Sequence, residues 1–291
     1  MERAALIFNY VYNAAKCQRF SQSSPAVFSV FSPGTTGKIH LPSWVRKLIL
    51  LLYERRKTMK FIVEKDIFDK IPNACFGVVA AKGIDNTADR PEISALLDEY
   101  ILSAARRFDG KRVKDEPDIL PYREAFRALG INPNKYMCSI EALFSRISKG
   151  KGMPHINPIV DLGNAISLKY TLPIGAHDLR EVPESICVRF SCSGDTFLPF
   201  GSDSEETVEP GEAVYAAGNQ IRTRRWTWRQ SEHGKITAET SHVFFPIDGF
   251  SDFNKDRVIA ARDQLAGLLK EVFGCSTVTG LVDIDHPEME F

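Results

Sequence analysis

The chain has 291 residues, 44% of them hydrophobic and 25% charged, which is the composition of an ordinary globular protein with room for a substantial core. Lys plus Arg balances Asp plus Glu at 37 each, so a nucleic-acid partner would have to be met by a local basic patch and not by overall charge. No stretch approaches the roughly 20 apolar residues of a membrane span, and "LILLLY" at 48–53 is short and flanked by Arg46, Lys47, Arg55 and Arg56.

Residues 1–58 differ in texture from the rest, with scattered aromatics, a Ser-rich "SQSSPAVFSVFSPGTTG" and no sustained period. "MKFIVEKDIF" at Met59 is a clean start. The Glu-Arg-Arg of "YERRKTM" can be encoded GAA AGG AGG, a bacterial ribosome-binding sequence just ahead of an ATG. The expectation is that Met59 is the native start, with 1–58 an upstream, non-native or disordered extension and 59–291 one domain. The alternative is a genuine extension with a short amphipathic helix at "PSWVRKLILLLYERRK".

From Met59 onward, "ACFGVVAAKGI" is a short apolar run ended by glycine and reads as a buried strand. A helix follows, with Asp89 and Glu92 at capping-box spacing and Ile93, Leu96, Leu97, Tyr100, Ile101 and Ala104 at helical intervals. A second helix fits "PYREAFRALG", and Ser139 is placed to cap a third, "IEALFSRISKG". Pro158 opens a fourth through "VDLGNAISLKY". Between Glu184 and Phe250 the texture turns to strands: "SICVRFSC", "AVYAAG", "IRTRRWTWRQ" and "KITAETSHVFFPI". Asn254 is placed to cap a last helix, "KDRVIAARDQLAGLLKEVFG", and "STVTGLVDI" returns as a strand. Helices, then strands, then a closing helix and strand describe an α+β fold, a mixed sheet with flanking helices.

The six cysteines, from Cys17 to Cys275, form no Cys-x-x-Cys pair and fit reduced, buried thiols of a cytoplasmic protein. His155, His177, His233 and His242 lack ligand spacing, so no metal is expected. In an extended "IRTRRWTWRQ", Arg222, Arg224, Trp226 and Trp228 share one face, combining phosphate attraction with ring stacking; this is the expected RNA surface. The bland alternative is that the tryptophans enter the core and the arginines pair with nearby acids.

The stretch from "YREAFRALG" to "TLPIGAHD" resembles the B3/B4 domain of the bacterial phenylalanyl-tRNA synthetase β subunit, and most of all the freestanding proteins made of that domain alone. "DLGN" leads to "TLPIGAHD" at the family's spacing, "VRFSCSGDTFLPF" is similar to its Arg-bearing strand, and "ITAETSHVFF" to its Thr-bearing strand. The resemblance implies the B3/B4 editing-domain fold and cofactor-free hydrolysis, in trans, of aminoacyl-tRNA carrying a wrong amino acid. The rival is a noncatalytic module that holds tRNA, a free amino acid or a protein. Departures are evident: the family's His falls on Gly175, its Glu near Pro246, the Thr before Asn164 is Gly163, and its Gly-Gly pair falls near Arg229 and Gln230. With the family His displaced, His177 becomes the candidate that polarises water, with Asp178 fixing its tautomer; Asn164, Gly175 and Thr240 are the candidate substrate contacts. The amino acid, the tRNA and the oligomeric state are open.

Overall fold

The computed structural model describes residues 58–180 and 182–291. Apart from Thr58, the segment expected to be an extension lies outside the described residues.

Two long strands organise the domain. β2 (Ala74–Lys82) pairs antiparallel with β10 (His242–Phe250) along their whole length, from His242 opposite Lys82 to Phe250 opposite Ala74. Both are buried on both faces and, Asp248 apart, almost wholly apolar, as suits a strand covered from two sides. β11 (Ser276–Val282) flanks β2, and β3 (His177–Asp178) flanks β10, giving a four-stranded sheet in the order β11-β2-β10-β3.

One face of this sheet carries helices. Val79, Ala81, Val243, Phe245 and Ile247 pack with Ile159, Leu162 and Ile166 of α5 (Pro158–Tyr170) and Val258, Leu265 and Leu269 of α6 (Lys255–Phe273). The other face, with Phe76, Val78, Ala80 and Phe244, meets a second sheet through Phe61 and Tyr215. That sheet has eight strands among the described residues, in the order β12 (Glu288–Glu290), β1 (Lys60–Val63), β4 (Ser185–Phe190), β7 (Ala213–Ala217), β8 (Gln220–Arg224), β5 (Thr196–Phe197) and β6 (Glu206–Thr207), with β9 (Arg229–Gln230) also on β8. The β1–β4 and β5–β8 pairs are parallel and the others antiparallel, so the expected mixed α+β architecture holds, as a helix layer on two packed sheets. Helices α2 (Pro91–Arg107), α3 (Leu120–Ala128) and α4 (Ser139–Ser148) follow the expected segments, after a single turn, α1 (Lys65–Phe68).

The helix starts differ in detail from the sequence reading. Arg90, not Asp89, is the N-cap of α2, and Pro91 takes the first turn. Cys138, not Ser139, caps α4. Asn254 does hold the cap position of α6, but its side chain turns away from the helix: Oδ1 accepts from the Phe250 amide at 2.7 Å and Nδ2 donates to the Tyr122 hydroxyl at 3.0 Å. Among the described helices only Asn157 caps as a side chain should, accepting from the Val160 amide at 3.1 Å at the head of α5. Among the described residues no helix is long and apolar enough to cross a membrane.

Helix α6 sits close because glycines receive it. A methyl group on Gly77 would come within 2.8 Å of Val258, and one on Gly249 within 2.7 Å of Asn254 Oδ1. Gly267, on the outer side of the same helix, faces open space. Gly249→Ala is expected to cost about 1–3 kcal/mol through overpacking, and Gly267→Ala to add about 0.5–1 kcal/mol by helix propensity. Urea unfolding midpoints check both; equal effects would contradict this account of the packing.

Candidate functional site

Strand alternation turns Phe244, Pro246, Asp248 and Phe250 of β10 toward the second sheet. Beside them, the chain leaving α5 runs back along β10: Gly175 donates its amide to Pro246 O at 3.1 Å, and His177 pairs opposite Phe244. From the second sheet, Tyr215 and the β8–β9 turn come to meet them, and the Ser139 amide at the head of α4 donates to Thr227 O at 2.9 Å. A cavity of about 80 Å³ is left where these elements converge, lined among others by Gly175, His177, Pro246, Asp248, Ser139 and Thr227. Trp228, Arg229 and Gln230, all at least partly exposed, lie along its outer side.

Asp248 is the chemically distinctive wall. It is 2% exposed, and its Oδ1 accepts from Tyr215 Oη at 2.6 Å and Trp226 Nε1 at 2.7 Å. None of the described residues donates to its other oxygen. Burial raises its carboxyl from 3.8 to about 7, against the pull of the two donated hydrogen bonds. His177, 1% exposed, lies parallel to the Tyr215 ring at 5.8 Å, and burial, reinforced by the charge of Arg222, lowers it to about 3. It is a neutral imidazole at physiological pH and a poor proton acceptor. Ser139 Oγ, Thr227 Oγ1 and His177 Nδ1 are buried without a hydrogen-bond partner among the described residues, and all three belong to walls of this cavity. Such groups are costly to bury unjoined.

The residues expected from sequence divide into two groups. Gly175 and His177 are brought together: a methyl group on Gly175 would lie 3.2 Å from His177 Nε2. Asp178 is not a partner of His177. Adjacent strand residues point apart, and its carboxylate instead accepts from the Arg180 amide (2.8 Å), Arg180 Nε (2.8 Å) and Thr240 Oγ1 (2.6 Å). Thr240 lies in the loop before β10, not on a strand; its hydroxyl also accepts from the Thr237 amide at 2.9 Å, so the Asp178–Thr240 pair closes that loop and faces away from the cavity. Asn164, half-buried on α5, does not line the cavity.

The expected RNA strand is broken. β8 ends at Arg224, and Arg225 and Trp226 both take left-handed conformations, φ 49° and 56°, which cost non-glycine residues about 1–2 kcal/mol each. The turn is held by Trp226 N donating to Ala213 O at 2.6 Å and Arg225 N to Glu212 Oε1 at 3.2 Å. Trp226 is thereby buried on Asp248, Arg222 is fully buried, and Arg224 is paired with Glu212 at 2.8 Å and with Glu206. The two buried side chains, Arg222 and Trp226, cannot stack on or contact a nucleic acid, and Arg224 is held in ion pairs. Beyond them the turn carries another set: Arg225, itself paired with Glu212 at 3.1 Å, lies 4.0 Å from the centre of the Tyr136 ring and 4.6 Å from Trp228, while the exposed Arg229 covers Trp228 at 4.7 Å. Lys135 continues the row over Tyr136, so cations and rings alternate from the cavity mouth to a wider cleft of about 350 Å³ lined by Tyr136, Arg225 and Glu209. Trp228 is the one expected RNA residue that stays on this surface.

Among the described residues no group of His, Cys, Asp or Glu is arranged to hold a metal. A family model described as the B3/4 domain matches residues 121–274, more than half of the chain. The chain belongs to the B3/4 domain family. No curated protein matches it. Among solved structures it is similar to an N-terminal fragment of the phenylalanyl-tRNA synthetase beta-subunit from Pyrococcus horikoshii, at 14% identity and a TM-score of 0.43, over 79% of this chain and 53% of that one. It thus spans about half of that fragment.

The B3/4 match contains every cavity residue named above, while β1, β2 and the last two strands lie outside it. Sequence reasoning missed Asp248, Ser139 and Thr227. The signal for Asp248 was present, since it is the only charged residue in the apolar run "VFFPIDGF".

Two opposite pH slopes follow from the buried pair. Unfolded Asp248 releases its proton near 4 and folded Asp248 near 7, so wild-type stability falls as pH rises through that window. Unfolded His177 binds a proton near 6.5 and folded His177 only near 3, so stability also falls as pH drops through that range. Asp248→Asn should therefore gain on wild type from pH 4 to 7 and His177→Gln from pH 6.5 to 3. Denaturant melts across pH check this; profiles parallel to wild type would contradict the burial of these groups.

Proposed function

We propose that the chain is a freestanding editing module that hydrolyses the ester of mischarged aminoacyl-tRNA in trans, in the cytoplasm. The observation that carries the reading is a cavity bordered by Gly175 and Pro246, the positions where the family's pocket His and Glu fall, with His177, Ser139 and Thr227 among its lining residues. The row of Arg229, Trp228, Arg225 and Tyr136 leading from its mouth suits the single-stranded acceptor end, with rings for bases and guanidinium groups for phosphates.

In this reading a water oxygen attacks the ester carbonyl carbon, the bond to the ribose oxygen breaks, and the proton passes to that oxygen, releasing tRNA and the free amino acid. An aminoacyl ester is already activated, so an oriented water and donors to the developing oxyanion suffice, and no cofactor is required. His177, neutral, takes part as a hydrogen-bonding group that orients water or substrate, not as a strong base. Arg229, exposed along the outer side of the cavity, is a donor within this lining, whereas Gln230 Nε2 is held on Ala176 O at 2.6 Å.

The second reading is a binding module for tRNA, a free amino acid or a protein partner, favoured by the placement of Gly175 and Pro246 where the family has its His and Glu. Deacylation of a panel of correctly and wrongly charged tRNAs separates the two. Wild type is expected to release particular mischarged amino acids, His177→Ala to slow release about tenfold or more, and Trp228→Ala with Arg229→Ala to weaken tRNA binding and flatten its salt dependence. Binding without release above the spontaneous rate removes the hydrolase and leaves the binding module.

A further inference from the structure

We infer that the open edge of β11 is the interface through which two copies of this chain pair, strand to strand, about a two-fold axis at Thr279. The inference stands apart from the editing reading and rests on the edge itself.

β11 is the last strand of its sheet, paired with β2 from Ser276 opposite Lys82 to Val282 opposite Phe76 without a register shift. Its neighbours decide which of its residues look outward. Leu179 N donates to His242 O and Gly175 N to Pro246 O, so the even-numbered residues of β10 turn their backbone groups to the β3 side and the odd-numbered ones to β2. Carried across the antiparallel register, Ser276, Val278, Gly280 and Val282 bond to β2, while Thr277, Thr279 and Leu281 turn N–H and C=O to the open side. Among the described residues these outward groups have no hydrogen-bond partner.

The other sheet edges among the described residues are guarded. β3, β6 and β9 are two residues long, and β12 carries Glu288 and Glu290, held by Lys60 at 3.0 and 3.4 Å. Short or charged edges keep chains from adding to one another. β11 has seven residues, "STVTGLV", with no charge, no proline and no bulge, and its Val278 is 45% exposed. An edge left in that state is suited to a partner strand.

The surroundings of the edge match a second copy of themselves. Antiparallel pairing centred on Thr279 sets Thr277 of each copy opposite Leu281 of the other, and Val278 opposite Gly280. Met289 fills the space where Gly280 has no side chain, so the exposed Val278 of one copy lands on the flexible Met289 of the other. Charge obeys the same symmetry. From α6, Arg262 Nη1 reaches Gly280 O at 3.4 Å and Nη2 pairs with the exposed Asp263 at 2.7 Å, so a cation and an anion flank the axis in each copy and meet their opposites across it. Lys82 stands beside the first residue of the strand, and Asp283, held by Lys255 at 3.4 Å, and Asp285 follow the last, so antiparallel pairing brings a basic end to an acidic end twice. A strand from an unrelated protein would use the backbone edge without these matches. The two four-stranded sheets become one, with both α6 helices on the same face.

The test uses the full chain, with its association read by sedimentation equilibrium. Wild type is expected to be a dimer at micromolar concentration. Thr279→Pro removes an outward amide that the sheet itself does not use, and should raise the dimer dissociation constant about tenfold or more while the far-UV circular dichroism stays that of wild type. Val278→Lys places like charges at the joint and should do the same; if the proline variant misfolds, the lysine variant decides. Thr279→Cys sets two thiols across the axis on Cα atoms about 5.5 Å apart and should form an inter-chain disulfide on mild oxidation, which Thr277→Cys, with the same native cysteines, should not. A monomeric full chain, a dimer indifferent to Val278→Lys, or cross-linking through Thr277→Cys as fast as through Thr279→Cys overturns the inference. In the first case the edge is left to some other strand, and in the second the dimer forms through another surface.

Discussion

The architecture depends on one carboxyl group placed where the fold is driest. Asp248 interrupts the apolar central strand of one sheet and binds the other sheet directly, through Tyr215 of β7 and Trp226 of the following turn. Its own carbonyl accepts from Tyr122 of α3 at 2.9 Å, and Tyr122 in turn accepts from Asn254 at the head of α6. Two sheets and two helices thus meet in one hydrogen-bonded chain. Burial forces the acid toward its neutral form, and the neutral form leaves an oxygen free of charge at a cavity wall. The same constraint explains why Trp226 is drawn inward at the expense of a strained turn.

That turn accounts for what periodicity misread. Alternation in "IRTRRWTWRQ" is a sound strand signal, and β8 obeys it as far as Arg224. Beyond that point the indole finds a buried acceptor and the backbone adopts two left-handed residues to reach it, a tertiary requirement with no local marker such as Gly or Asn. Regular elements buried by simple alternation or helical spacing, β2, β4, β7, α5 and α6, were legible because their own residues decide them. Thr240 was not, because the strand it was assigned to begins only after the Thr240–Asp178 hydrogen bond has closed the loop.

The site was legible in outline and not in its members. The turn at Gly175 and His177 stood out through its spacing from "DLGN", which is backbone information and survives changes of side chain. Ser139 shows the opposite case. As a serine at a helix start it reads as a cap, yet Cys138 holds that position and the serine hydroxyl is buried without a partner among the described residues. Local rules fail there because a tertiary contact, the Ser139 amide on Thr227 O, fixes the start of the helix in place of a side-chain cap.

The pairing of β2 with β10 has a consequence for how the chain reaches this state. It joins residues 74–82 to residues 242–250, so the central pair of the smaller sheet is among the last contacts that synthesis makes available. Until then β2 presents an apolar segment with free backbone groups on the side that β10 will occupy, and such segments self-associate. Pro246, unable to donate to a ladder, and Asp248 divide the later strand into stretches too short to join copies of themselves readily. Two residues that line the cavity, Pro246 and Asp248, are thus also the ones that interrupt the apolar run of β10.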